Sequence, residues 1–79
     1  MQAGGTPASI PSLAALTERE REIVVKVAQG LSSEAIAERL FISVATVRKH
    51  RENIMRKLNL HNAAEIAAVA VKYGLYNPV

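Results

Sequence analysis

The cationic side chains that could bind a polyanion are concentrated in one segment, residues 44–58, with the sequence VATVRKHRENIMRKL. Five of the chain's 10 Lys and Arg residues lie there against one acid, so the segment has a net charge of +4. The other five cations and six glutamates leave the rest of the 79 residues at −1. A near-neutral body with one basic segment predicts a nucleic-acid surface. The five cations are Arg48, Lys49, Arg51, Arg56 and Lys57.

No other residue pattern predicts chemistry of comparable strength. The chain has no cysteine, so neither a disulfide framework nor a thiolate metal site is expected. His50 and His61 are the only histidines, whereas a zinc site needs three or four ligands. There is no aspartate, the serines are suited to cap helices, and the glutamates are expected on exposed faces. We therefore expect no enzyme activity, metal, cofactor or small-molecule ligand.

Capping residues mark the ends of four predicted helices. Thr17 can cap the first helix, with Glu20 completing a capping box, and Gly30 can end it in the left-handed conformation. Ser32 or Ser33 can cap a short second helix. The predicted helices cover about 17–29, 33–40, 44–58 and 63–73.

The basic segment is the third of these helices. Ser43 can cap it, and Val47, Ile54 and Leu58 recur at helical spacing as its buried stripe. Residue 50 or residue 51 lies between these stripe residues on the helix. Met55 is expected to point away from the buried stripe, on the side that carries the cations. A short helix, a three-residue turn and a basic helix form the helix-turn-helix arrangement of DNA-binding proteins.

The fourth helix is capped and carries two apolar stripes. Asn62 and Glu65 form a capping box, and Gly74 ends the helix. One stripe is expected to face the core, while the second is made of small residues, which are also simply good helix formers. The core stripe is Ile66, Val69, Ala70 and Tyr73, and the second is Ala64, Ala67, Ala68 and Val71.

The predicted organisation is a flexible linker over 1–12 and one all-α domain over 13–79. The linker holds two of four glycines, two of three prolines and no charge. No apolar run approaches the about 20 residues that span a bilayer. The N-terminus also lacks the charged and apolar regions of a signal peptide. A cytoplasmic protein that does not contact a membrane is therefore expected.

Residues with characteristic spacing run through all four predicted helices. They are Leu16-Thr17-x-Arg19-Glu20, Gly30-x-Ser32-x-x-x-Ile36-Ala37-x-x-Leu40-x-Ile42-Ser43, Thr46-Val47-Arg48-x-His50 and Asn53-Ile54-x-x-Lys57-Leu58. Over about residues 16–75 the pattern resembles the LuxR-type (GerE-like) DNA-binding domain, especially the branch found in NarL/FixJ-like response regulators. The chain differs at Ala35 and Ala63, where many members carry Glu and Arg respectively.

Position on the third helix predicts how the chain contacts DNA. Arg48 and Lys49 lie in its first two turns, where a recognition helix enters the major groove, so they are expected to contact bases. Glu52 either accepts from a cytosine amino group or pairs with Arg48 or Arg56 along the helix. For Thr46 the resemblance implies a phosphate contact. The full set of expected phosphate contacts is Ser33, Ser43, Thr46, Arg51, Arg56 and Lys57.

The resemblance also implies the biological setting. It implies sequence-specific binding to double-stranded DNA by a bacterial transcriptional regulator, as the output domain of a two-component response regulator. Family members dimerise through the fourth helix, so the stripe of Ala64, Ala67, Ala68 and Val71 is expected to form a homodimer contact. RNA polymerase is a further expected partner. The absence of aspartate excludes a phospho-acceptor here and favours an excised output domain over a standalone regulator.

Two other functions stay open at this point. A sigma-factor promoter-recognition domain also contains a helix-turn-helix, but the capped fourth helix argues against it. A helical protein-interaction module would not bind nucleic acid, and salt-dependent DNA binding would distinguish it from a regulator. The operator, the controlling signal and whether transcription is activated or repressed are not specified by these residues.

Overall fold

The computed structural model describes residues 11–78, and within that range it contains helices and no strands. An all-α fold is thus confirmed. The four predicted helices are α2 to α5, and α1 is an additional single turn. The predicted linker lies outside the described residues except for its last two, which begin α1, so the domain boundary stays a prediction. The helices are α1 Pro11–Ala14, α2 Glu18–Ala28, α3 Ser33–Leu40, α4 Val44–Leu58 and α5 Ala63–Lys72.

Side-chain caps begin the four longer helices at the predicted residues. Thr17 Oγ1 accepts a hydrogen bond from the Glu20 N–H at 3.1 Å, and Glu20 Oε1 accepts from the Thr17 N–H at 2.9 Å. This is the complete capping box predicted for α2. Ser32, rather than Ser33, caps α3, since its Oγ accepts from the Ala35 N–H at 3.1 Å.

The cap of α5 differs from the prediction in one bond. Asn62 Oδ1 accepts from the Glu65 N–H at 2.9 Å, as expected. The Glu65 carboxylate, however, accepts from the His61 N–H at 2.6 Å instead of the N–H of Asn62. The acid still satisfies a free donor at the start of the helix, one residue earlier than a standard capping box would.

Left-handed residues end all four longer helices. Gly30 and Gly74 have φ of 88° and 76°, as predicted from sequence. Phe41 and Asn59 adopt the same conformation with φ of 58° and 57°. In each case the next N–H returns to a carbonyl five residues back, for example from Leu31 to Lys26 at 3.1 Å. The Phe41 conformation was not predicted, since a bulky side chain is rarely left-handed.

One aliphatic core fixes the positions of the helices. α2 packs against α4 and α5, while α3 packs against α4. Burying these apolar side chains is the main force that holds a domain of this size together. No described helix has the length and apolar character needed to cross a bilayer. The buried apolar residues are Leu16, Ile23, Val24, Val27, Ile36, Ala37, Val47, Ile54, Ile66 and Ala70.

Two side chains occupy positions that differ from the predicted stripes. Tyr76, rather than Tyr73, packs against the core, because the chain reverses after α5 and the Tyr76 N–H bonds to the Ala70 carbonyl at 3.0 Å. Met55 was expected to point away, but it is half-buried against the core. Its flexible thioether side chain can fill an irregular space at the core's edge.

Candidate nucleic-acid interface

The helix-turn-helix unit consists of α3, the turn 41–43 and α4. Ile36 on α3 and Val47 on α4 are both fully buried, which locks the two helices together through their inner faces. The outer face of α4 carries Arg48, Lys49 and Glu52, whose side chains are 66%, 71% and 71% exposed. The three residues predicted to contact bases therefore lie on one accessible face of a rigidly held helix.

Both predicted base-contacting cations have carboxylate partners. Arg48 Nη2 lies 3.4 Å from Oε2 of Glu34 on α3, and Lys49 Nζ lies 3.5 Å from Oε1 of Glu52. Glu52 thus pairs with Lys49, three residues away, rather than with either arginine considered from sequence. Exposed ion pairs of this kind contribute only about 0–1 kcal/mol to stability. Glu34 was not predicted as a site residue, because its only local signal is its place in the first turn of α3.

The N-terminus of α4 is suited to a phosphate. Ser43 Oγ accepts from the Thr46 N–H at 3.0 Å, and the two hydroxyl oxygens lie 2.8 Å apart. Both residues are exposed, and the first turn of α4 contains no acid. The positive end of the helix dipole and two hydroxyl groups therefore face solvent together, an arrangement that favours an anion.

Two further predicted phosphate contacts, both arginines of α4, have neutral hydrogen-bond partners. Arg51 Nη1 donates to Ser33 Oγ at 2.9 Å, linking the middle of α4 to the start of α3. Arg56, also on α4, donates from Nη2 to Asn53 Oδ1 at 2.9 Å and is exposed. Because both partners are neutral, each guanidinium keeps its full net charge for an anionic ligand.

Lys57 has a different environment from the other predicted phosphate contacts. Its Nζ lies 2.8 Å from Oε1 of Glu20 on α2 and donates to the Ala15 carbonyl at 3.1 Å. The Lys57 side chain is 25% exposed and that of Glu20 only 4%. The expectation that the glutamates lie on exposed faces is therefore wrong for Glu20. A phosphate contact by Lys57 stays a prediction, and the internal ion pair favours a structural role.

The environment of Glu20 favours its charged form. Burial raises the pKa of Glu20, but hydrogen bonds from Lys57 and from the Thr17 N–H lower it. Electrostatic interactions with Lys57 and His50 lower it further, and the net pKa of Glu20 lies below the ordinary value of 4.5. At neutral pH the carboxylate is thus ionised, and it joins α2 to α4 through a charge-assisted hydrogen bond.

The two histidines lie in different environments. His50 is half-buried on α4, and its Nδ1 is buried without a hydrogen-bond partner among the described residues. His61 is exposed and lies 3.5 Å from the Glu65 carboxylate. Across residues 11–78 no group of three or more potential ligands is placed to hold a metal ion.

The second apolar stripe of α5 faces outward. Ala64 and Ala68 are exposed, Ala67 is half-buried, and Val71 is 48% exposed. Of the first stripe, Ile66 and Ala70 are fully buried in the core on the other side of the helix, whereas Val69 and Tyr73 are only half-buried. The stripe therefore forms a small apolar surface of the kind that closely packed helices use.

Sequence comparison assigns the class of protein. A family model for the luxR family of bacterial regulatory proteins matches residues 14–70, and the chain belongs to that family. The chain is similar to the oxygen regulatory protein NreC of Staphylococcus carnosus, with 46% identity over 57 residues, 72% of this chain and 26% of that protein. It is also similar to the transcriptional regulatory protein LnrK of Bacillus subtilis, with 40% identity over 60 residues, 76% of this chain and 27% of that protein. It spans about a quarter of the length of these relatives.

Family membership confirms the resemblance found in the sequence. The chain is a helix-turn-helix domain of the LuxR type, a class of DNA-binding transcription regulators and not a class of enzymes. Neither a sigma-factor domain nor a protein-interaction module is favoured.

Proposed function

We propose that this chain reads a specific duplex DNA sequence by placing α4 in the major groove. The observation that carries this proposal is the division of α4 into two faces. Val47 and Ile54 are fully buried on one face, while Arg48 and Lys49 stand exposed on the other. Arginine and lysine are the side chains that most often recognise guanine, through its O6 and N7 atoms.

Phosphate contacts on both sides of the groove would fix the domain's register. The N-terminus of α4, with Ser43 and Thr46, binds one phosphate, and Arg51 and Arg56 bind others. Ser33 orients Arg51 through the 2.9 Å hydrogen bond and so contributes indirectly. These contacts act on any sequence, whereas base contacts by Arg48 and Lys49 provide the discrimination.

The whole protein is proposed to be a bacterial transcriptional regulator with this domain as its output. The similarity to NreC and LnrK, both named as regulatory proteins and each about four times as long as the matched region, supports this role. Two copies would bind adjacent half-sites through a contact between their α5 stripes. RNA polymerase is the partner through which a DNA-bound regulator would act, and the cytoplasm is where both occur.

Loss of Arg48 tests the proposal. Arg48→Ala should weaken binding to an operator selected from a random duplex pool by about 1–3 kcal/mol, with a smaller loss on random duplex. Lys49→Ala should do the same. Arg19→Ala is the control, because Arg19 is also ion-paired to a glutamate, with its side chain 41% exposed, but lies on α2. Fluorescence anisotropy measures both affinities, and circular dichroism verifies the fold.

Equal losses of affinity for the operator and for random duplex would show that Arg48 and Lys49 contact phosphates rather than bases. A loss from Arg19→Ala as large as that from Arg48→Ala would contradict the assignment of α4 as the reading helix. Duplex binding that does not weaken as salt rises would contradict DNA binding as the function, because displaced counterions make such binding salt-dependent.

A further inference from the structure

Each proposed base-contacting cation is held beside a carboxylate. Arg48 pairs with Glu34 at 3.4 Å and Lys49 with Glu52 at 3.5 Å. Glu34 comes from α3, 14 residues away in sequence, so its position beside Arg48 is a product of the packing of α3 on α4. Each carboxylate cancels the charge that its partner would otherwise present to any phosphate backbone.

The proposed phosphate-contacting arginines have a different type of partner. Arg51 donates to the hydroxyl of Ser33 and Arg56 to the amide oxygen of Asn53, each at 2.9 Å. Neutral acceptors leave the charge of both guanidinium groups intact. Among the solvent-exposed cations of α4, carboxylate partners are thus found only at Arg48 and Lys49, whereas Lys57 pairs with Glu20 inside the domain.

The first turns of α3 and α4 also differ in charge. Glu34 is an acid in the first turn of α3, whereas the first turn of α4 has none. An acid there offsets the positive end of the helix dipole. The N-terminus of α4 therefore attracts a phosphate, while that of α3 does so much less.

We propose that Glu34 is a specificity-determining residue of this domain, an inference that rests on the proposed reading of DNA by α4. Its carboxylate weakens binding to the backbone of every duplex. At the same time it holds one edge of the Arg48 guanidinium, whose five N–H donors leave the other edge free for a base. A duplex with the correct base gains a contact with Arg48 that offsets the repulsion between Glu34 and the phosphates, whereas other duplexes gain no such contact.

Neutralising Glu34 tests the inference. Glu34→Gln should tighten binding to random duplex by about three- to tenfold and steepen the salt dependence, while binding to the selected operator changes by less than about twofold. The ratio of the two affinities should therefore fall by several fold. Glu22→Gln is the matched control, since it makes the same charge change and also removes an exposed ion pair at 3.5 Å, on α2.

A double variant that lacks both Arg48 and the Glu34 charge provides a second test. In an Arg48→Ala background, Glu34→Gln should still tighten random binding, but it should no longer lower the preference for the operator. The inference is overturned if Glu34→Gln and Glu22→Gln tighten random binding equally, because net charge alone would then explain the effect. It is also overturned if the affinity ratio is unchanged by Glu34→Gln. Absence of duplex binding by the unmodified protein would overturn the proposed function, and this inference with it.

Discussion

The least expected residue of the domain is Phe41, in the turn between the two helices of the DNA-binding unit. Phe41 is 95% exposed, so it adds nothing to the core, and its φ is 58°. The left-handed conformation costs a residue with a Cβ roughly 1–2 kcal/mol. The strain is tolerated because the turn must reverse within three residues, and the Ile42 N–H bonds back to the Ala37 carbonyl at 3.1 Å.

Replacing Phe41 by glycine should stabilise the fold. Glycine removes the strain but has more freedom when unfolded, so the expected net gain is about 0.5–1 kcal/mol. Chemical denaturation measures the free energy of unfolding. Phe41→Ala is the control, which keeps the Cβ and should change stability little. A loss of stability in Phe41→Gly would show that the aromatic ring makes a packing contribution.

At the level of elements, the fold depends on one polar link as well as on the core. Glu20 and Lys57 join α2 to the last turn of α4, the helix that presents the DNA-binding face. A nearly buried carboxylate that loses its charged partner remains desolvated without compensation. The link therefore couples the stability of the domain to the orientation of α4.

Removing the charge of Glu20 should destabilise the domain in a pH-dependent way. We expect Glu20→Gln to lower the free energy of unfolding by about 1–3 kcal/mol at pH 7. Because the folded pKa of Glu20 is lowered, its contribution is complete above the ordinary value of 4.5 and is lost as pH falls through the folded pKa. Denaturation of both proteins between pH 7 and pH 2 should show the difference shrinking below about pH 4.5. Glu18→Gln, an exposed change on the same helix, should show little difference at any pH.

The two cations at the end of α4 should respond differently to substitution. Arg56→Ala should flatten the plot of log affinity against log salt by about 0.9, the value for one lost phosphate contact. Lys57→Ala should chiefly lower stability, because Lys57 bonds to Glu20 and Ala15 inside the domain. Salt titrations and denaturation of the two variants separate these effects. A flattened slope for Lys57→Ala at unchanged stability would restore Lys57 as a phosphate contact.

At the level of the whole molecule, the domain offers two distinct surfaces. The exposed face of α4 carries the positive charge, and the outward stripe of α5 carries small apolar residues. A single small domain can make few base contacts, so two linked copies would recognise a longer and rarer sequence. In the proposed full-length regulator, other parts of the chain can strengthen a weak contact between the α5 stripes.

A charge in the α5 stripe should abolish cooperative binding. In a symmetric contact, Ala68→Glu or Val71→Glu would place each new carboxylate against its copy, so we expect cooperativity on a two-half-site operator to be lost. Affinity for a single half-site and the helical circular dichroism should stay unchanged, which provides the control. Gel-shift titrations on paired and single sites measure both quantities. Retained cooperativity in both variants would place the dimer contact elsewhere.

Most of the secondary structure was predictable because its signals are local. Caps such as Thr17 and Ser43 act on N–H groups three residues away, and Gly30 and Gly74 have the conformational freedom that their positions require. Helical spacing placed Val47 in the core. These interactions are contained within one or two turns of chain, so residue order alone specifies them.

Only tertiary packing decided which side chains pair between helices. Arg48 meets Glu34, Arg51 meets Ser33 and Lys57 meets Glu20 across sequence separations of 14, 18 and 37 residues. Four other glutamates besides those bonded to Arg48, Lys49 and Lys57 were equally available by charge. Helix packing places each donor within reach of one particular acceptor, because rigid helices can satisfy their buried stripes in few arrangements. The sequence by itself thus determined the helices and the basic face, while the packed core determined that Arg48 meets an acid, Arg51 a hydroxyl and Lys57 a buried carboxylate.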